Sequence, residues 1–210
     1  MGVIRAGILS RVSGKVAGVV GGQWKDKAYL REYVVPANPN TTPQQTQRGR
    51  MRIGVAFGKT LVGQVFNKYT DKFERGMSGF NRFLKSNMAY FLTPITYASI
   101  KVTEGKLWSL VNLDATKSSS LLSVTWTGTN IGNNGSLTDK VYAVAYDTVT
   151  GLWYFAGAEV NRSVASIAIT VPTAAGATDF VVYAWAAKYS TSSPTLLEMI
   201  SNSAYDISHA

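Results

Sequence analysis

The chain has 210 residues, of which 46% are hydrophobic, a composition that suits one large domain or two small ones and argues against disorder throughout. It has no cysteine and a single histidine, His209, which excludes disulfides and cysteine nucleophiles and leaves almost no residue for a histidine triad or metal centre. The net charge of +9 is uneven: residues 1–90 carry fifteen Lys and Arg against four Asp and Glu, and residues 91–210 carry six against eight. This split predicts a basic, partner-binding front half joined to a near-neutral folded module.

The first predicted element is a β-hairpin. Residues 16–24 and 28–35 are rich in β-branched and aromatic residues, and they flank a short polar turn at 25–27. Glycines weaken the first of these strands, and an isolated hairpin is only marginally stable in water. We therefore expect the hairpin to be supported by the rest of the chain or by a neighbouring subunit.

A proline-rich connector and two helices follow the hairpin. Residues 36–43 contain three prolines and cannot be helical. Thr42 as a cap and Pro43 at the first helical position predict a helix over about 43–67. A second helix is predicted over about 71–91, where an apolar stripe recurs at spacings of three and four: Phe73, Met77, Phe80, Leu84, Met88 and Phe91. We expect this stripe to be buried against the body of the protein.

The remaining residues indicate a β-rich module. Short β-rich runs occur at about 106–113, 120–127, 140–147, 152–157, 163–171, 179–188 and 195–200, separated by turn signals. Alternation over 141–146 and 166–171 predicts strands with one buried and one outward face, and Trp126 and Trp185 are the expected core anchors. This pattern is typical of an immunoglobulin-like β-sandwich. The predicted fold is thus α+β and mainly β: a basic N-terminal arm of hairpin and helices over residues 1–94, then an immunoglobulin-like sandwich over residues 95–210.

The acidic residues and the histidine do not predict a catalytic or metal site. Asp139, Asp147 and Glu159 fall in or beside three successive strands, but nothing in the sequence brings them to the separation that a glycosidase needs. His209 is expected to be a solvated residue near the end of the chain. We therefore predict no enzyme activity, no catalytic, cofactor-binding or metal-binding residue, no cofactor and no small-molecule substrate.

The N-terminal residues do not predict a membrane segment. Arg5, Arg11 and Lys15 interrupt the apolar residues of this region, so neither a bilayer span nor a signal peptide is expected. The basic and aromatic residues of the front half are instead the candidate interaction residues: Arg5, Arg11, Lys15, Trp24, Lys25, Lys27, Tyr29, Arg31, Arg48, Arg50 and Arg52. They suit either acidic protein neighbours or nucleic acid, whose phosphates would bind in a salt-dependent manner.

Three stretches of the front half resemble an uncharacterised protein family of bacteroidete chromosomes and their phages. They are residues 7–31, with Ser13-Gly14-Lys15-Val16 and Trp24-Lys25; residues 38–48, with Asn38-Pro39-Asn40-Thr41, Gln44, Gln45 and Arg48; and residues 77–87, with Met77-Ser78-Gly79-Phe80-Asn81 and Asn87. Many phage virion proteins combine a basic or extended arm with an immunoglobulin-like module. The resemblance implies a non-enzymatic virion protein, made in the host cytoplasm, whose partners are other virion proteins and copies of itself. A nucleic-acid-binding protein is the alternative.

Overall fold

A computed structural model describes residues 2–4, 13–24, 27–35, 37–73, 76–129, 131–193 and 195–210. The chain divides into two compact units, Met1–Thr42 and Pro43–Ala210. The domain boundary predicted from the sequence lies at 94/95, where predicted helices give way to predicted strands. The compact units divide earlier because the helices after residue 42 share a hydrophobic core with the C-terminal strands.

The first unit is a small antiparallel sheet. Its strands in the described residues are β1 (Gly2–Ile4), β2 (Gly14–Val16), β3 (Val19–Trp24) and β4 (Lys27–Glu32), in the spatial order β1-β4-β3-β2. The predicted hairpin is confirmed, since β3 and β4 pair over their whole length from Val19 opposite Glu32 to Trp24 opposite Lys27. Of the turn predicted at 25–27, residues 25 and 26 lie outside the described residues, and Lys27 is the first residue of β4. The connector over residues 37–41 has no regular structure, as its prolines predict.

The second unit begins with a helical layer. Helix α1 is Thr42–Gly58, followed by a π-helical segment, Val62–Thr70, a 3₁₀ turn, Asp71–Phe73, and helix α2, Gly79–Asn87. The π-helical segment replaces the end of the predicted first helix, and its wider turns let the adjacent pairs Val65–Phe66 and Tyr69–Thr70 all be buried. Helix α2 is shorter than predicted because Ser78 caps it, accepting a hydrogen bond from the main-chain N–H of Asn81 at 3.3 Å.

The strands of the second unit form two antiparallel sheets. The strands are β5 (Asp114–Ser118), β6 (Leu121–Thr125), β7 (Lys140–Asp147), β8 (Trp153–Phe155), β9 (Val160–Asn161), β10 (Ser166–Thr170), β11 (Phe180–Tyr189), β12 (Leu197–Ile200) and β13 (Ala204–Ile207). A 3-stranded sheet has the order β10-β6-β5. A 6-stranded sheet has the order β12-β11-β7-β8, with β13 also paired to β11 and β9 to β7. Two further 3₁₀ turns are Tyr97–Ser99 and Arg162–Val164.

The described part of this unit has three layers and two cores. The small sheet packs on one face of β7 and β11 through Trp126, Ile167 and Val182, among others. The helical layer packs on the opposite face, where Phe57 and Phe66 join Trp185. Both predicted anchors, Trp126 and Trp185, are buried, each in a different core. The prediction that β7 has an outward face is wrong, because the helices cover that face; for β10 the alternation is confirmed.

Several element assignments differ from the sequence-based ones. Residues 106–113 do not form a strand, although Leu107 makes an isolated bridge to Ser201; their leucines enter the core from an extended segment. A strand lies instead at β5, between two of the predicted runs. Ala115 alone of its residues is buried, so its sequence lacks the apolar alternation that indicates a strand. In the apolar stripe, Leu84 and Phe91 are buried as predicted, whereas Phe73 and Met77 are exposed.

Candidate functional site

The N-terminal sheet brings several candidate interaction residues onto one face. In the antiparallel register Lys15 lies opposite Val20, Val20 opposite Arg31, and Gly22 opposite Tyr29. Directly opposed residues share a face and side chains alternate along each strand, so Lys15, Lys27, Tyr29 and Arg31 share one face. We call these four residues, with Tyr33, the basic face. Trp24 is the register partner of Lys27.

Aromatic rings are held in place on the basic face. The Lys15 ammonium lies 3.5 Å from the centroid of the Tyr33 ring, a cation–π contact. The main-chain N–H of Tyr33 donates to the carbonyl oxygen of Gly18 at 2.8 Å, which fixes the residue beyond the end of β4. A side chain on Gly22 would place its Cβ 2.8 Å from the Tyr29 Oη, so the glycine makes room for the Tyr29 ring to lie across β3.

The opposite face of the sheet is mostly apolar. It carries Val16, Val19, Ala28 and Leu30, which we call the apolar face, together with Gln23 and with Glu32, the register partner of Val19 at the end of β4. Val16 is 62% exposed and Val19 is 40% exposed. Among the described residues of 13–42, Gly21 alone is buried, and glycine has no side chain. The described residues of this part of the chain therefore form no hydrophobic core of their own.

The remaining candidate interaction residues are not brought into this group. Arg48, Arg50 and Arg52 lie on α1, in the second unit, where Arg48 and Arg52 are exposed and Arg50 is half-buried. Arg5, Arg11 and Lys25 lie outside the described residues. The described candidates therefore form two groups, one on the sheet of the first unit and one on the first helix of the second.

A groove in the second unit, which no sequence pattern predicted, is lined by lysines and hydroxyl groups. It has a volume of about 850 Å³ and lies where the π-helical segment meets the ends of β7 and β11. Lys68, Lys72, Lys140 and Lys188 line it, against the acidic Asp139 and Glu159. Ser136, Thr138, Tyr189, Ser190, Thr191 and Thr195 supply hydroxyl groups. We call this the lysine groove.

A tyrosine–glutamate network forms one wall of the lysine groove. Tyr142 Oη donates to Glu159 Oε2 at 2.6 Å and lies 3.0 Å from Tyr189 Oη. Because the one hydroxyl hydrogen of Tyr142 is donated to Glu159, Tyr189 is the hydrogen-bond donor to Tyr142. Burial, together with these hydrogen bonds, raises the pKa of Tyr142 above its ordinary 10.0. Burial likewise raises the pKa of Tyr69 to about 12.

A second cavity of about 370 Å³ shares Lys68, Tyr69 and Glu159 with the groove and reaches Trp185. The Trp185 ring stacks on Tyr142, with centroids 5.9 Å apart and an interplanar angle of 21°. Its indole N–H is buried and has no hydrogen-bond partner within the described part of the chain. Buried donors are normally paired, so this one marks a place where a polar group would gain a bond.

The other two acidic candidates are engaged by neighbouring main-chain groups. Asp139 Oδ2 accepts the N–H of Ser136 at 2.6 Å, and burial raises its pKa despite that bond and the nearby Arg162. Asp147 Oδ1 accepts the N–H groups of Val149 and Thr150 at 2.8 and 3.0 Å. These contacts shape turns at the two ends of β7.

The side chain of His209 is 52% exposed, as expected for a solvated residue, but its main chain is not a free tail. Its carbonyl oxygen accepts from Lys117 N–H at 2.7 Å and its N–H donates to Ala115 at 3.0 Å, which seats the chain beside β5. Its ring, Asp114 and Asp206 bring their ligand atoms within 4.8 Å of one another. The Nε2 atom lies 3.5 Å from Asp114 Oδ1, and Asp206 Oδ2 accepts the N–H of Ala115 at 2.8 Å. These contacts account for the cluster without a metal ion.

The lysine groove had little local signal in the sequence. Its lysines are spread from residue 68 to residue 188, and each looks like an ordinary surface charge. The one available signal was Glu159 beside a β-rich run with Tyr142 and Tyr189 in neighbouring strands. Within the described residues, no helix has the length and apolar character to cross a bilayer.

Comparisons with known proteins identify a family. A family model described as a family of unknown function (DUF6266) matches residues 11–192, so the match includes parts of both compact units. The comparison with curated proteins found no match, and the comparison with solved structures found none either.

Proposed function

The chain belongs to DUF6266, a family of unknown function, and we propose that it is a non-enzymatic assembly protein whose N-terminal sheet docks on a neighbouring subunit. The resemblance of its front half to phage-borne sequences leads us to propose a virion as the assembly and the virion as its location. The second unit would then serve as the packing or display module.

The contrast between the two units carries this proposal. The second unit buries aromatic and aliphatic side chains in two cores. In residues 13–42, by contrast, Gly21 is the one described residue that is buried. Val16, Val34 and Val35 are exposed there. The N-terminal sheet leaves apolar residues in water, and a small sheet of this kind gains stability when a partner covers those residues.

The occupant that we propose for the apolar face is a second copy of this chain. Val16, Val19, Ala28 and Leu30 carry no charge, and Glu32, the charged residue that shares their face, lies at the end of β4. Two such faces can therefore meet through their apolar residues with Glu32 at the rim of the contact. The basic face cannot meet a copy of itself in this way, because lysines and arginine would oppose one another. In a dimer through the apolar face, the basic faces point outward to other virion proteins.

Light scattering on the full chain tests the docking role. We expect the wild-type chain to form oligomers and a Val16→Glu, Val19→Glu variant to be monomeric, with the melting transition of the second unit unchanged. Val149→Glu is the control, because Val149 is 74% exposed in a turn of the second unit. A wild-type chain that stays monomeric at every concentration, or a control that dissociates equally, contradicts the proposal. Cross-linking within purified particles tests the virion assignment.

A second candidate, nucleic-acid binding, is supported by the basic face. Lys15, Lys27 and Arg31 share that face with Tyr29 and Tyr33, and cations interleaved with aromatic rings suit a nucleic-acid strand. The test is DNA binding across a salt titration. Affinity that falls steeply with salt and is lost in a Lys15→Gln, Arg31→Gln variant favours this candidate over the assembly role; binding that ignores salt removes it.

We also propose that the two packed sheets are an immunoglobulin-like sandwich to which a helical layer has been added. Support comes from the face-to-face packing of two antiparallel sheets around Trp126. The helices on the outer face of β7 and β11 are a departure from such sandwiches. Comparison of strand order with an experimentally determined structure of this chain would decide the assignment.

A further inference from the structure

We propose that the lysine groove binds an acidic saccharide, a sugar that presents both hydroxyl groups and a carboxylate. The groove belongs entirely to the second unit, so this inference does not depend on the docking role of the N-terminal sheet. Its volume of about 850 Å³ is within the roughly 300–1,000 Å³ of small-molecule sites. It is therefore large enough for a short oligosaccharide.

The lysines provide the attraction for an anionic group. Lys68 and Lys72 come from the helical layer. Lys140 is the first residue of β7, and Lys188 is next to the last residue of β11. Four ammonium groups face two carboxylates in the groove, and the carboxylate of Asp139 is buried and bonded to Ser136. A cleft lined mostly by one sign of charge concentrates ligands of the opposite sign.

The hydroxyl groups and Glu159 provide recognition of a sugar. Glu159 Oε2 accepts from Tyr142, whereas Oε1 makes only a loose ion pair with Lys140 Nζ at 3.9 Å. Oε1 thus has capacity to accept a hydrogen bond from a ligand hydroxyl. The tyrosines offer an apolar ring with a polar end, which suits a ligand that has both C–H faces and hydroxyl groups.

A second cavity extends the groove. It adjoins the groove through Lys68, Tyr69 and Glu159, and Tyr142 and Trp185 also line it. Aromatic rings in the wall of this cavity suit the C–H face of a sugar ring that continues from the groove.

Glu159 also argues against a nucleic-acid strand in this groove. The phosphodiester backbone of DNA has no hydroxyl group to donate to the carboxylate, and its phosphates would be repelled by it. A saccharide with separate hydroxyl and carboxylate groups can satisfy Glu159 and the lysines together. The arrangement of the charges therefore favours a mixed ligand over a polyphosphate.

The test is isothermal titration of the full chain with trigalacturonate, the corresponding neutral galactose trisaccharide and a single-stranded DNA oligonucleotide. We expect trigalacturonate to bind at least about tenfold more tightly than the neutral sugar, because charge-assisted hydrogen bonds are the stronger ones. Lys140→Gln and Lys188→Gln should each weaken this binding several-fold. Lys59→Gln is the matched control, since Lys59 is exposed in the turn after α1 and does not line the groove.

Glu159→Gln separates sugar recognition from simple attraction of anions. It removes a negative charge, so it should strengthen any purely electrostatic binding while weakening trigalacturonate, which loses its carboxylate acceptor. No binding at millimolar concentration, equal affinity for the neutral sugar or the oligonucleotide, or equal losses in Lys59→Gln and Lys140→Gln would overturn the proposal. So would tighter trigalacturonate binding by Glu159→Gln. Melting curves establish that each variant is folded.

Discussion

The indole N–H of Trp153 donates a 2.8 Å hydrogen bond to the main-chain carbonyl oxygen of Phe57. Trp153 lies in β8, and Phe57 lies in the last turn of α1. Carbonyl oxygens in the last turn of a helix have no hydrogen-bond donor within the helix. The two rings also meet edge to face, with centroids 4.9 Å apart. One side chain of the sheet thus completes the end of the helix that covers it.

Loss of this bond should destabilise the protein. Trp153→Phe keeps an aromatic ring but leaves the buried Phe57 carbonyl unpaired, so we expect the free energy of unfolding to fall by about 1–3 kcal/mol. Urea denaturation measures the change. Trp108→Phe is the control, because Trp108 is 47% exposed. Equal losses in the two variants would show that ring size, and not the hydrogen bond, is responsible.

Two glycines of α1 should respond in opposite directions to the same substitution. A Cβ on Gly54 would lie 2.6 Å from the Phe91 ring, whereas a Cβ on Gly49 would meet nothing within 4 Å. Gly54→Ala should therefore cost about 1–3 kcal/mol of unfolding free energy through overpacking. Gly49→Ala should add up to about 1 kcal/mol through helix propensity. Thermal melting measures both, and a stabilised Gly54→Ala variant would contradict the close packing of α1.

Arg162 should be among the most sensitive positions in the second unit. Its guanidinium is fully buried and donates to the carbonyl oxygens of Trp108 and Ser109 at 2.9 and 2.7 Å. Arg162→Met would leave two acceptors unpaired and cost roughly 2–5 kcal/mol. Lys117→Met is the control, since Lys117 donates to two carbonyl oxygens in exposed contacts. Similar small losses in both variants, by urea denaturation, would refute the structural role of Arg162.

Asp147 should make stability depend on pH in the acid range. Burial would raise its pKa, but the hydrogen bonds from Thr150 and Val149 outweigh burial and lower the pKa below its ordinary 3.8. The carboxylate therefore contributes stability above that value, and the contribution is lost as the pH falls through the lower pKa of the folded state.

The measurement is the unfolding free energy of the wild-type chain minus that of Asp147→Asn. We expect a positive difference that is constant from about pH 7 to about pH 5 and shrinks toward about pH 2. A difference that is independent of pH would mean that the carboxylate charge is not what these hydrogen bonds stabilise.

Local patterns predicted much of the fold. The β-branched residues of 16–24 and 28–35 predicted the hairpin that the register confirms, and six of the seven predicted β-rich runs overlap observed strands. The failures have a common cause. Residues 106–113 are apolar because Leu107 and Leu110 fill a core from an extended segment, while β5 buries Ala115 and is otherwise polar. Apolar content then indicates burial and not strand structure.

The sequence placed most of the strands and the proline-rich connector, because side-chain branching, glycine and proline act on the backbone within a few residues. It also determined the uneven charge and the lack of cysteine chemistry. The tertiary structure alone decided that helices cover the second face of β7 and β11, that Arg162 is buried, and that Lys68 meets Lys188 across one groove. These outcomes depend on contacts between residues tens to more than a hundred positions apart, and local periodicity carries no information about which distant faces meet.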